Sequence, residues 1–248
     1  MLLRLTFFTL FNGSLGFLTH LVLLNQKIVG RGYFIYHGLG AVGASALAFY
    51  LYPTPAALVV PFGVIALVAC LLAGIRVAVS RTLLIVSVAI GTAILWNALS
   101  LPTLDSPYLP MLTTLLSCAL LGHTVGALCL GHWYLNQPGL PIEPLRQATQ
   151  VLLVVLMFRV VFGLYWGADV LVSNTGLRWL TSSTAGIFWM MRMAWGLVAP
   201  AVLSYFLWQT VRLASTQSAT GLLYVMVVMV LIGEIVSVYL LSVHGIHS

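Results

Sequence analysis

Three ionisable side chains stand in stretches too apolar to solvate them: Arg159, Arg192 and Glu234. A charged group inside hydrocarbon costs at least about 2.5–3.5 kcal/mol on insertion scales, so each must find a companion or do work there. Counted from the expected outer ends of their spans, Arg192 lies about seven residues deep, Glu234 about nine and Arg159 about ten; at about 1.5 Å per residue the first two agree within one helical turn. Opposite charges at matched depth on consecutive helices point to an ion pair between Arg192 and Glu234. The same two groups could instead bind a ligand or carry a proton, and Glu234, as the one acidic residue expected within a span, is the best single candidate for the latter. Arg159 is then the unmatched cation. It could share Glu234, bind helix carbonyls, meet a carboxylate on another subunit, or attract an anionic or quinone-like ligand.

The histidines offer a second chemistry. His20, His37 and His132 fall near one membrane face, and two neutral imidazoles from different helices are the usual axial ligands of a b-type haem, with Tyr33, Phe34 and Trp133 suited to its apolar faces. These three are candidate haem ligands; the alternative for each is an interfacial imidazole bonded to a loop carbonyl or a lipid headgroup. His123 lies deeper, where a polar ring needs a partner. A structural hydrogen bond and a place in a quinone site with Arg159 are both open for it. The nine-residue step from His123 to His132 turns through about 180°, so the two cannot face one ligand from one helix side. His244 and His247 are expected to be solvated.

Other chemistry finds no support. No HExxH, GxSxG, Walker A or GxGxxG stands in a usable context, and four acidic residues cannot build a carboxylate-based metal cage, so neither a hydrolase nor a metal site is expected. Cys70, Cys118 and Cys129 lie in apolar runs without CxxC or CxxCH spacing and read as buried free thiols.

The elements that must position these groups are long apolar runs. Of 248 residues, 61% are hydrophobic and 6% charged, against about a quarter charged in soluble domains. Runs near 5–25, 33–52, 56–78, 82–101, 109–133, 147–169, 185–211 and 218–243 predict an all-α, polytopic integral membrane bundle of about eight transmembrane helices in one domain over 1–248. Open strand edges are excluded in lipid. The connectors are too short to hold a soluble domain. The first run, with Arg4 near its start, reads as a retained span and not as a cleaved signal peptide.

Lys27, Arg31, Arg76, Arg81, Arg146 and Arg212 fall on one side of this map, and Arg4, Asp105, Asp169 and Arg178 on the other. The positive-inside rule puts the first set in the cytoplasm and both termini outside, as in a bacterial-type inner (plasma) membrane. The net charge of +6 does not point to nucleic acid, because the basic residues sit singly at span ends.

Small residues mark close contacts between membrane helices. Gly40 with Ala44 and Ala41 with Ser45 predict that span 2 is central. Gly122 and Gly126, on either side of His123, admit a close neighbour or a flat cofactor. Pro200 predicts a kink in span 7. Thr175 to Ser183 suits an interfacial segment anchored by Trp179, and Pro138, Pro141 and Pro144 stiffen the loop before span 6. The two halves show no repeat, and the polar interior groups concentrate in spans 5–8.

Small size, absent soluble domains and His, Arg and Glu gathered within helices favour a membrane subunit of a larger redox or energy-transducing complex. In that expectation haem b or quinone is bound, Arg192 and Glu234 form a proton path or ion pair, and the partners are the lipid bilayer and other membrane subunits. A small transporter or channel for an anionic or proton-coupled solute is the alternative. A structural scaffold without a cofactor is the third.

Overall fold

The computed structural model describes residues 2–52, 56–99, 108–137, 139–173, 180 and 182–244. Its elements are α1 (Leu2–Leu23), the single turn α2 (Gln26–Val29), α3 (Arg31–Leu51), α4 (Ala56–Leu72), α5 (Val77–Leu99), α6 (Tyr108–Asn136), α7 (Glu143–Ser173), α8 (Thr184–Met193), a π-helical stretch (Ala194–Val198), α9 (Ala199–Arg212) and α10 (Thr216–His244). No strand occurs among the described residues. Helix α8, the π-helical stretch and α9 form one continuous crossing of 29 residues. Seven crossings are long and apolar enough to span a bilayer. The eighth, α4, has 17 residues with Pro61 inside it, about 26 Å of rise and so near the lower limit for spanning. The protein is an integral membrane helical bundle.

Helices α1 and α6 form its centre. Their most apolar windows are 61% and 67% buried, against 28% in α3. This corrects the expectation that span 2 is central. Gly40 and Gly43 of α3 face open space, while only the opposite side of that helix, with Ala41 and Ser45, is buried. The close neighbour anticipated at Gly122 is α1. A Cβ on Gly16 would fall on the Cys118 carbonyl, and one on Gly122 would fall within the Gly16 backbone. One helical turn further on, Gly126 supports the ring of His20. The paired positions ascend together, so α1 and α6 run in the same direction. Beyond this glycine contact, Phe7 and Phe11 of α1 meet Phe49 of α3 and Tyr52 just after it at ring-centroid distances of 5.0–6.1 Å, and Phe62 of α4 completes the apolar cluster.

Basic side chains gather at the opposite end of α1 and close its turns. Arg31 donates to the Leu71 carbonyl at 3.3 Å and Arg81 to the Leu24 carbonyl at 3.3 Å. Cations therefore meet the orphan carbonyls at the ends of α4 and α1, where the helix dipole favours them. Between these contacts lies Gln26, 1% exposed. Its amide donates to Ser80 Oγ at 3.0 Å, and its carbonyl accepts the Gly74 N–H at 3.2 Å. Gly74 turns the chain with φ of 75°, a value that favours glycine. Gln26→Leu removes both bonds together and is expected to cost about 1–2 kcal/mol. A melt in detergent, compared with the exposed Lys27→Ala, measures it; coincident curves would show that these bonds contribute nothing.

Asp105, Pro138, Arg178, Trp179 and His247, most of the anticipated interfacial segment, and the side chain of Asp169 lie outside the described residues.

Candidate functional site

Glu234 of α10 stands between two arginines. Its Oε1 accepts from Arg192 Nη2 at 2.6 Å, and its Oε2 accepts from Arg159 Nη2 at 3.4 Å. Both guanidiniums are fully buried, and the carboxylate side chain is 3% exposed. Arg159 Nη2 also donates to Ser117 Oγ of α6 and Ser237 Oγ of α10, each at 2.9 Å. Four helical segments thus converge on one carboxylate. The pair anticipated from matched depth is present, and Arg159 shares its acid.

The count of charges is unequal. Two cations face one anion, and among the described residues Arg159 Nε and Nη1 and Arg192 Nε find no acceptor. Taking an ion out of water costs several kcal/mol unless its hydrogen bonds are remade. The surplus positive charge and its open N–H groups make this the electrostatically least satisfied place in the described bundle. Arg159 has no exposed surface, so a carboxylate on another subunit cannot reach it in this conformation.

Local sequence explains how the helices approach closely enough. Pro200 has no N–H to return to the carbonyl four residues earlier, that of Gly196. Arg192 Nη1 donates to this freed carbonyl at 3.4 Å. The chain ahead of the proline widens into the π-helical stretch, with the Ala199 N–H bonded to the Ala194 carbonyl. Within the stretch, Gly196 lies against Gly233: a Cβ on Gly196 would come 2.6 Å from Gly233 Cα and 2.7 Å from Arg192 Nη1. Two glycines therefore let α10 come close enough for Glu234, the residue after Gly233, to reach Arg192.

The histidines divide into two groups. His20, expected near a membrane interface, is 1% exposed and faces His123 edge to face at a centroid distance of 5.6 Å. His123 Nδ1 bonds the Ala119 carbonyl at 2.9 Å, so that nitrogen carries the proton and Nε2 presents a lone pair. Neither His20 Nε2 nor His123 Nε2 has a partner among the described residues. His37 lies beyond Phe17, whose ring is 5.8 Å from His20 and 6.3 Å from His37. His132 is exposed, with Nδ1 3.5 Å from the Tyr224 hydroxyl. The structure thus joins His20 to His123 and leaves His37 and His132 apart from that pair. The His20 ring packs directly onto Gly126, one turn beyond the backbone contact of Gly16 with Gly122. The GLGAVG run at Gly38, Gly40 and Gly43 lies within α3 and not at a strand-to-helix turn.

Ser117, Ser237, Gly196 and the pairing of His20 with His123 do not follow from depth alone. Pro200 is a readable signal, because it frees the carbonyl of the residue four before it. Comparison of the chain with protein-family models, curated proteins and solved structures finds no match.

Proposed function

We propose that the protein is an integral membrane subunit of a larger redox or energy-transducing complex, and that the Arg159–Glu234–Arg192 triad is where it handles charge within the bilayer. One observation supports the reading above others: two fully buried guanidiniums share a single carboxylate and keep N–H groups that find no acceptor among the described residues. A purely structural pair would be neutral. A surplus cation in low dielectric stabilises a second negative charge within the bundle, such as a group that has given up its proton. Quinone suits the chain better than haem b, because the His20 ring is taken up by packing onto Gly126 and against His123, and the Phe17 ring lies against both His20 and His37.

Arg159→Met in the complex isolated from its native membrane tests this. The variant is expected to assemble with its companions yet lose quinol-driven turnover and the proton uptake coupled to it. Arg159→Lys should keep part of both, since it retains the charge but not the planar fork. Full turnover in Arg159→Met would overturn the proposal. A small carrier for an anionic solute rests on the same surplus cation. It predicts substrate-dependent flux by this chain alone in liposomes, whereas a subunit is silent there.

A further inference from the structure

We infer that a recess on the lipid side of α3, distinct from the triad, binds the reduced, hydroxyl-bearing form of a membrane quinone, with His37 as its hydrogen-bond acceptor. The inference rests on the quinone part of the function proposed above. The recess holds about 390 Å³ between α1, α3, α6 and α10, and Gly13, His37, Gly40, Ala44, Val125 and Leu231 are among the residues that line it. That volume lies within the range of small-molecule sites, which pair apolar walls with a few placed polar groups. Arg159 and His123, by contrast, are enclosed by side chains and leave a ring-sized ligand no surface to contact.

Thr9, Ser14, Tyr36 and Cys129 also line the recess, and among its polar residues His37 is the one ring whose hydrogen-bonding sense is set by a backbone carbonyl. Its Nδ1 lies 2.9 Å from the Tyr33 carbonyl, an acceptor only, so Nδ1 carries the proton and Nε2 is a lone pair. Tyr33, Phe17 and Trp133 hold the imidazole, with ring centroids 4.3, 6.3 and 6.1 Å away. A ligand that bonds Nε2 must donate. A quinol hydroxyl does so; an oxidised quinone has only carbonyl oxygens, and an acyl chain has no polar atom.

Depth agrees with a ring at one end and a tail beyond it. His37 follows Arg31, at the basic end of the bundle, by six residues, about 9 Å of rise, and Ala44 lies about 10 Å further in. The recess therefore runs from headgroup depth toward the bilayer centre. Gly40 keeps it open: a Cβ there would meet nothing within 4 Å.

That open space permits a clean test, because a side chain added at Gly40 starts into the recess with no protein atom within 4 Å of its Cβ. Gly43 is the matched control, equally open but not part of the lining. The full chain, with its companions in lipid nanodiscs, is titrated with decylubiquinol, decylubiquinone and dodecanol, and bound ligand is quantified. Wild type is expected to bind the quinol saturably and the quinone up to about tenfold more weakly, the worth of one hydrogen bond. Gly40→Leu should weaken quinol binding by about tenfold or more while Gly43→Leu leaves it unchanged. His37→Phe should abolish the preference for quinol over quinone. Equal quinol binding by Gly40→Leu and wild type would overturn the recess and leave the proposed function standing. Equal binding of dodecanol, or no preference for the reduced form in wild type, would overturn it too. Absence of any quinol binding by wild type would remove the quinone reading as well.

Discussion

Glu234→Gln is expected to destabilise the bundle by about 3–5 kcal/mol, the cost of breaking a buried ion pair from one side. Glutamine keeps the shape and much of the hydrogen bonding, so the loss isolates the charge. Arg192 Nη2, 2.6 Å from the carboxylate, and Arg159 Nη2, 3.4 Å away, would both be left as buried cations without an anion. Arg159→Met has the opposite consequence. It removes the surplus, leaves Arg192 and Glu234 as a neutral pair, and takes away the donor that the Ser117 and Ser237 hydroxyl oxygens accept from. Its expected cost is within about 1 kcal/mol, since replacing buried charge with a side chain of similar volume is often neutral. The double variant should then be more stable than Glu234→Gln alone, with one stranded cation in place of two. Thermal melts of the three variants in one detergent measure the ordering. If Arg159→Met costs as much as Glu234→Gln, Arg159 is a structural partner and not a surplus charge.

That ordering separates stability from function at one site. A residue whose removal leaves the fold intact while activity disappears is retained for its chemistry, and Arg159 is the member of the triad for which this is expected. Arg192 has both roles: it pairs Glu234 and satisfies the carbonyl that Pro200 releases. Its replacement by Met should therefore fall between the other two in cost.

The bundle was legible in the sequence because lipid leaves the backbone few options. Apolar runs of spanning length must be helices, and the fixed rise per residue converts sequence position into depth. Depth alone was enough to match Arg192 with Glu234. Rotation was not legible. A membrane helix apolar all round carries no stripe to mark its inner face, so the small residues of α3 and α6 looked equivalent. In the structure Gly122 meets another backbone, while Gly40 faces open space. The same missing phase hid the meeting of His20 with His123. His20 stands three residues before the end of α1 and so reads as interfacial, yet the ring turns inward onto Gly126. The short turn at Gly74 likewise ends α4 at Leu72, below the length its apolar run suggested.

Gly122→Ala tests the contact on which this arrangement depends, and its expected cost is about 3 kcal/mol or more, toward the upper end of overpacking effects. The reason is what the new methyl meets. It falls within the backbone of Gly16 and the Phe17 N–H, and a helix backbone cannot rotate aside as a side chain can. Helices α1 and α6 must separate, and their separation carries His20 away from His123. Gly126→Ala is graded below it. There the methyl meets the His20 ring, including Nδ1 at 2.8 Å, and the ring can swing away at about 1–2 kcal/mol. Gly43→Ala completes the series: nothing lies within 4 Å of its Cβ, and the gain in helix propensity is roughly 0.5–1 kcal/mol. The same chemical change at three glycines thus runs from strongly destabilising to slightly stabilising, according to whether backbone, side chain or open space faces it. Denaturation of the three variants in one detergent reads the order directly. A Gly122→Ala protein as stable as Gly43→Ala would mean that α1 and α6 do not touch, and with that contact would go the pairing of His20 with His123.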